Sequence, residues 1–196
     1  MPAATASYQR TREMTIEELL LEHRIVFLTT DINHASATRV MMQLHYLEHQ
    51  KRGQPINLYI KSPGGAVDDT LAIYDTMKLL SSPVETYCIG YAYSGAAVLL
   101  AAGTEGKRYI LPHATVMIHQ PYGGVTGQTE DIRIQAEQII KAKRQLNEIL
   151  SSHTGQSVDQ LHDDSERDKY FNAQEAVDYG LVDEILTHTP DEKKSS

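Results

Sequence analysis

A serine placed where a strand turns into a helix can act as a nucleophile, and Ser94 stands at such a junction. The surrounding stretch, VETYCIGYAYSGAAVLLAAG (84–103), opens with a β-branched and aromatic run, Val84 to Ile89, that has the composition of a buried strand. It passes through Gly90 and Ser94-Gly95 into small and leucine-rich residues, Ala96 to Ala102, suited to a helix packed closely on its neighbours. A serine there lies beside unpaired backbone N–H groups and the positive end of a helix dipole, two features able to stabilise an oxyanion. The plainer reading is that Ser94 caps the helix, since serine is a favoured N-cap residue. The pattern is not the G-x-S-x-G elbow of α/β-hydrolases, because Ala92 stands where the first glycine would be. As a nucleophile, Ser94 needs partners from elsewhere in the chain.

Two loops could supply them. Ser62-Pro63-Gly64-Gly65 brings bare backbone N–H groups to a strand's end, where α/β sheets present ligand sites, although such a sequence also makes an ordinary tight turn. His119 ends another apolar run, just before Gln120-Pro121. The acids that could orient it are Asp131, Asp159, Asp163, Asp164, Glu166 and Asp168, and spacing does not choose among them, because triad members meet in space.

Other motifs lead away from chemistry. Gly103-Thr104-Glu105-Gly106-Lys107 lacks the first glycine of a phosphate loop, which is Ala101, and continues into Arg108, so no nucleotide site is expected. His45-Tyr46-Leu47-Glu48-His49 matches H-x-x-E-H, but Leu44 and Leu47 turn the opposite side of that helix inward and leave both histidines facing solvent. No metal is expected. Cys88, the sole cysteine, reads as a small buried hydrophobe and allows no internal disulfide, which fits a reducing compartment.

The elements that must hold these groups follow from patterning. With 196 residues, 41% of them hydrophobic and 22% charged, the chain suits one soluble domain. A net charge of −8 without a long Lys/Arg run argues against nucleic acid or anionic membrane as a partner. Residues 1–13 read as a mobile arm without the apolar run of a secretory signal, 14–187 as one domain and 188–196 as a frayed tail. Glu85, the tyrosines and the glycines make 84–103 a strand-helix unit and not a membrane span, so a cytoplasmic protein is expected. Thr15-Ile16-Glu17-Glu18 starts a short helix, and strands are expected at 24–29, 56–60, 84–89, 108–111, 115–118 and 181–186. Helices fall at 35–52, at 66–80 burying Val67, Leu71, Tyr74 and Met77 with Lys78 pointing to solvent, and at 130–152, long and amphipathic. Ser157 and Asn172 start two more, the second ended by Gly180. Alternating strands and helices predict an α/β fold with substantial parallel pairing.

Taken together, IVFLT, LYIKSPGG, IYDTM, the strand-Ser-helix unit, GKRYILPHATVMIHQPYGG, GQTEDI, HTGQS, SERDKYF and AVDYGLVDEIL resemble the proteolytic subunit of Clp protease (ClpP), in that family's order and spacing from about residue 22 to 186. The resemblance implies a ClpP/crotonase-like spiral of β-β-α units with a protruding strand-helix handle. It implies a serine endopeptidase with Ser94 as nucleophile, His119 as general base and Asp168 as orienting acid. The backbone N–H groups of Gly65 and Gly95 would form the oxyanion hole. Tyr122, Gly123, Gly124 and Val125 would line an extended substrate, and the helix after them would join two rings. No cofactor is implied, because ATP would be used by a partner. The implied partners are the chain's own copies in two stacked heptameric rings (a tetradecamer), an AAA+ unfoldase of ClpX, ClpA or ClpC type docking near Tyr59, Tyr109 and Leu186, unfolded polypeptides, and a ClpP paralogue. Three features depart from the family. YSGAA replaces its usual ASMGA, so Gly95 stands for a methionine. The N-terminal arm matches its axial loops poorly, and Asn57 stands where an aromatic residue is common. The alternatives are a catalytically weak or structural ring subunit of a mixed Clp complex, and a CoA-binding hydratase or isomerase of the related crotonase fold, which would need neither Ser94 nor Asp168.

Overall fold

Apolar residues at alternate positions build three neighbouring parallel strands, β1 (Ile25–Leu28), β2 (Ile56–Ser62) and β3 (Val84–Tyr93), in the computed structural model, which describes residues 14–120 and 126–187. The short β4 (Arg108–Ile110) and β7 (Glu184–Ile185) extend the sheet in the order β1-β2-β3-β4-β7, every pair parallel. β3 outlasts the expected 84–89 because it serves two neighbours in succession. Thr86–Cys88 pair with β4, and Tyr91–Tyr93 pair with β5 (Thr115–Ile118). Between them Gly90 takes φ +110, a backbone conformation that side chains other than glycine's rarely adopt. β6 (Lys169–Phe171), which periodicity missed as a strand, lies antiparallel on β5.

Seven helices complete the described residues: α1 (Ile16–Glu22), α2 (His34–Gln50), α3 (Val67–Leu79), α4 (Gly95–Ala101), α5 (Thr129–Thr154), α6 (Val158–Asp164) and α7 (Ala173–Tyr179). Capping boxes close α1 at Thr15/Glu18 and α7 at Asn172/Glu175, Ser157 caps α6, and Gly180 ends α7 in the left-handed conformation. This is the mixed α/β architecture that the resemblance implies. α4 is buried along its whole length, which its glycine, alanines and leucines permit. α5 differs along its length: its C-terminal part reaches the core through Asn147 and Leu150, whereas Ile132, Ile134 and Ile140 remain 39%, 45% and 67% exposed.

Some expectations are corrected. α3 buries Thr70, Ile73, Thr76 and Met77, so its inward face is rotated from the one predicted, and Val67, Leu71 and Tyr74 are only half-buried. The two threonines can be buried because each hydroxyl donates within the helix, Thr70 to Ala66 O (2.9 Å) and Thr76 to Ala72 O (2.8 Å). Lys78 is exposed, as expected, and its ammonium donates to Ala102 O at 2.7 Å. The last strand shrinks to two residues, with Leu181 and Val182 buried ahead of it. Residues 1–13, 188–196 and the expected substrate segment Tyr122, Gly123, Gly124 and Val125 lie outside the described residues.

One charged side chain ties α4 to the elements beside it. Arg108 is 7% exposed and pairs with Asp183 through Nε (2.9 Å) and Nη2 (2.5 Å). Its Nη1 donates to the carbonyls of Ala101, His153 and Gly180, which end or follow α4, α5 and α7. Arg108→Met is therefore expected to destabilise the fold by about 3–5 kcal/mol, because it leaves a carboxylate and three carbonyls without their partner. A urea midpoint unchanged from that of the unsubstituted protein would contradict this.

Candidate active site

Ser94 joins β3 to α4 with φ 55 and ψ −123, a strained conformation for a residue with a Cβ. Its hydroxyl makes no capping hydrogen bond, which removes the plain N-cap reading. The strand–turn–helix geometry is that of a nucleophile elbow although the local sequence is not, and the reason lies in another loop. Gly64 packs directly on the turn: a Cβ there would come within 2.5 Å of Tyr93 O, 2.8 Å of Ser94 Cβ and 2.9 Å of Gly95 N. Gly64 also has φ +86, so the glycine required at the elbow is supplied by SPGG and not by residue 92.

The same loop is stitched to the chain after β1. Ile32 N donates to Gly64 O (2.8 Å) and Ala66 N to Ile32 O (2.9 Å), and Ser62 Oγ both accepts from Gly64 N and donates to Thr30 O. That pattern leaves the N–H of Gly65 without an acceptor among the described residues. The N–H of Gly95, first in α4, is likewise unused within its helix, as helix geometry requires. Both glycines line one pocket of about 540 Å³ together with Ser94 and His119.

Strand register brings the rest together. Tyr93 pairs with Met117 in parallel, and Ser94 N donates to Met117 O at 2.8 Å, which sets the serine beside the end of β5. Ile118 pairs with Lys169 in the antiparallel β5–β6 ladder, so the next residue of one strand faces the preceding residue of the other. Those residues are His119 and Asp168, and Nδ1 of the one lies 3.2 Å from Oδ1 of the other. The imidazole is 13% exposed and the carboxylate 56% exposed. Of the other acids, Asp164 is engaged elsewhere, pairing with Lys169 and accepting from Tyr179 OH. Gln120 secures the segment, its N–H donating to Ser165 O (2.7 Å) and its Oε1 accepting from Lys143 Nζ (2.8 Å).

Gly95 has a partner that sequence reasoning could not see. A Cβ at this position would fall well inside van der Waals contact of Thr70 Oγ1, and Thr70 is 1% exposed. Gly95→Ala should cost about 1–3 kcal/mol by overpacking. Adding Thr70→Ala should recover much of that loss. A double-mutant cycle on thermal unfolding reads the coupling, and strict additivity would show that the two positions do not compete.

The expected docking residues Tyr59 and Tyr109 lie mid-strand, on one rung with two aromatic residues that the sequence did not single out. Register aligns Phe27, Tyr59, Tyr87 and Tyr109 across β1 to β4, with successive ring centroids 5.3, 4.6 and 4.9 Å apart. Leu186 is half-buried just past β7, where its N–H donates to Ile110 O. Asn57 accepts a hydrogen bond from Tyr87 OH (3.3 Å), and Tyr87 also donates to Glu85. His45 and His49 are exposed on α2, as the helical spacing predicts. Cys88 is buried, and burial pushes its thiol up to about 12, so it is inert at neutral pH. No described helix is long and apolar enough to cross a membrane.

The geometry accords with two comparisons. The family model for Clp protease matches residues 8–189. The chain is 55% identical over 188 residues to a protein of Rhodopirellula baltica named ATP-dependent Clp protease proteolytic subunit 1, an alignment covering 96% of this chain and 83% of that protein. With a match of that extent on both counts, the chain belongs to the Clp protease family.

Proposed function

We propose that the chain is a serine endopeptidase in which Ser94 is the nucleophile, His119 the general base and Asp168 the group that orients it. The observation that carries this reading is the convergence on one pocket of a strained, uncapped serine, the N–H groups of Gly65 and Gly95, and a histidine held by a carboxylate. With its Nδ1 proton donated to Asp168, His119 presents Nε2 as a base. Ser94 Oγ attacks a peptide carbonyl carbon while Nε2 takes its proton. The carbonyl oxygen becomes an oxyanion stabilised by the two glycine N–H groups, Nε2 then protonates the leaving amine, and water releases the acyl group by the reverse path. No step calls for a cofactor, and ATP would be consumed by the partner.

The assembly follows the same reading. The exposed isoleucines of α5 fit a handle that joins two heptameric rings of this chain, with or without a ClpP paralogue, around an enclosed chamber. The aromatic rung through Tyr59 and Tyr109, with Leu186 nearby, fits docking of an AAA+ unfoldase of ClpX, ClpA or ClpC type, and the word ATP-dependent in the relative's name favours such a partner. Unfolded polypeptides would lie along Tyr122, Gly123, Gly124 and Val125 as an added strand. A cytoplasmic setting suits these partners.

The test is labelling of the assembled protein with a fluorophosphonate, located by mass spectrometry. Modification at Ser94 is the expected result. An assembled ring that stays unlabelled would favour a structural ring subunit. A species eluting at the 21.9 kDa of one chain would contradict the ring.

A further inference from the structure

We infer that Asn147 reads the substrate side chain next to the attacked carbonyl (the P1 side chain), selecting one that carries a hydrogen-bonding group on an apolar stem. The inference rests on the peptidase reading above and names part of its substrate class. Asn147 is one of the two buried residues of α5, 5% exposed, and lines the same pocket as Ser94, Gly95 and His119. Its amide makes no hydrogen bond to any described residue, and its atoms are not sealed from the pocket, so they are open to a ligand there. The other buried polar side chains of the wall are already satisfied, since Thr70 donates to Ala66 O and Ser165 to His162 O. The same pocket is lined by the apolar Val67, Val98, Ile118, Leu146 and Leu150, and also by the exposed Asp31 and Asn33.

An unpaired buried amide beside apolar side chains has a definite complement. The amide offers two donors and an acceptor, and the group that answers both is another primary amide. Aliphatic carbons reaching past Val67 and Leu146 would be held by the wall, while a terminal carboxamide would pair with Asn147. Glutamine fits this description. Methionine has a similar length and bulk but lacks the donor and has only a weak acceptor. When a site is built to hydrogen-bond a substrate group, an analogue without it leaves the site's polar group unpaired, so discrimination exceeds what apolar contact alone achieves.

The experiment compares kcat/KM for peptides differing only in P1 glutamine or methionine, on the assembled protein and on Asn147→Leu, which keeps the branching and heavy-atom count and removes the hydrogen bonds. The glutamine-to-methionine ratio should fall at least tenfold in the variant, with Ser94 still labelled by the fluorophosphonate. An unchanged ratio in a labelled variant overturns this inference and leaves the peptidase reading standing. Absence of labelling in the unsubstituted protein overturns both. Should Asn147→Leu fail to fold, Asn147→Asp serves instead. Its acceptor-only carboxylate should swing preference toward P1 lysine at least tenfold, and no swing overturns the inference.

Discussion

Ser94→Ala is expected to lower kcat for peptide hydrolysis by about 10⁵–10⁶, the scale set by removing a serine nucleophile from a working triad. KM should change little, because the hydroxyl contributes to bond making and not to holding the peptide. Stability should not change either. Ser94 forms no side-chain hydrogen bond at the start of α4, and alanine meets the same backbone strain at φ 55. This separates the nucleophile from a helix cap, since losing a true serine cap costs about 0.5–2 kcal/mol. Thermal unfolding and steady-state kinetics on the same preparation give the answer. A variant that hydrolyses peptides at more than a hundredth of the original rate would remove Ser94 from the chemistry, and turnover of acyl-CoA thioesters surviving the change would point to the crotonase alternative.

The second large effect is expected at Asp168. Asp168→Asn should reduce kcat by about 10³–10⁴, again with little change in KM, because an asparagine no longer holds His119 in the tautomer that leaves Nε2 free to accept a proton. The imidazole, only 13% exposed, has a fixed site, whereas the carboxylate is 56% exposed and its 3.2 Å contact competes with water. That competition places the effect at or below the loss seen in buried triads. The exposure also predicts a change of less than about 1 kcal/mol in stability. Loss of activity accompanied by loss of assembly on gel filtration would assign Asp168 to the interface instead. A decrease of less than tenfold in an assembled protein would mean that it does not orient the histidine.

Much of this molecule is written in short stretches of chain. The caps at Thr15, Ser157 and Asn172, the helix stop at Gly180, the solvent face of α2 with its two histidines and the strand–helix junction at Ser94 all depend on residues within about one turn of each other. Interactions of that range leave a pattern in the sequence. The resemblance then named the remaining site positions by their motifs, without a physical account of why those residues meet.

The physical account depends on contacts between distant segments. Six acids were open by spacing, and the antiparallel pairing of Ile118 with Lys169 is what sets Asp168 opposite His119. β6 could not be read beforehand, because three residues lacking clean alternation become a strand only when β5 offers its edge. The elbow at Ser94 looked wrong for want of a glycine at position 92, and Gly64 supplied it across 30 residues of chain. The inward face of α3 was misjudged because apolarity was counted, while Thr70 and Thr76 satisfy their hydroxyls within the helix and can be buried where Gly95 leaves room. What the amino-acid sequence by itself determined were most of the elements, the helix caps and the kinds of residue able to do chemistry, since these are settled by neighbours along the chain. Which of those residues meet, at what distance and with which groups left unpaired, was decided by strand register and helix packing, where each position depends on partners far away in sequence.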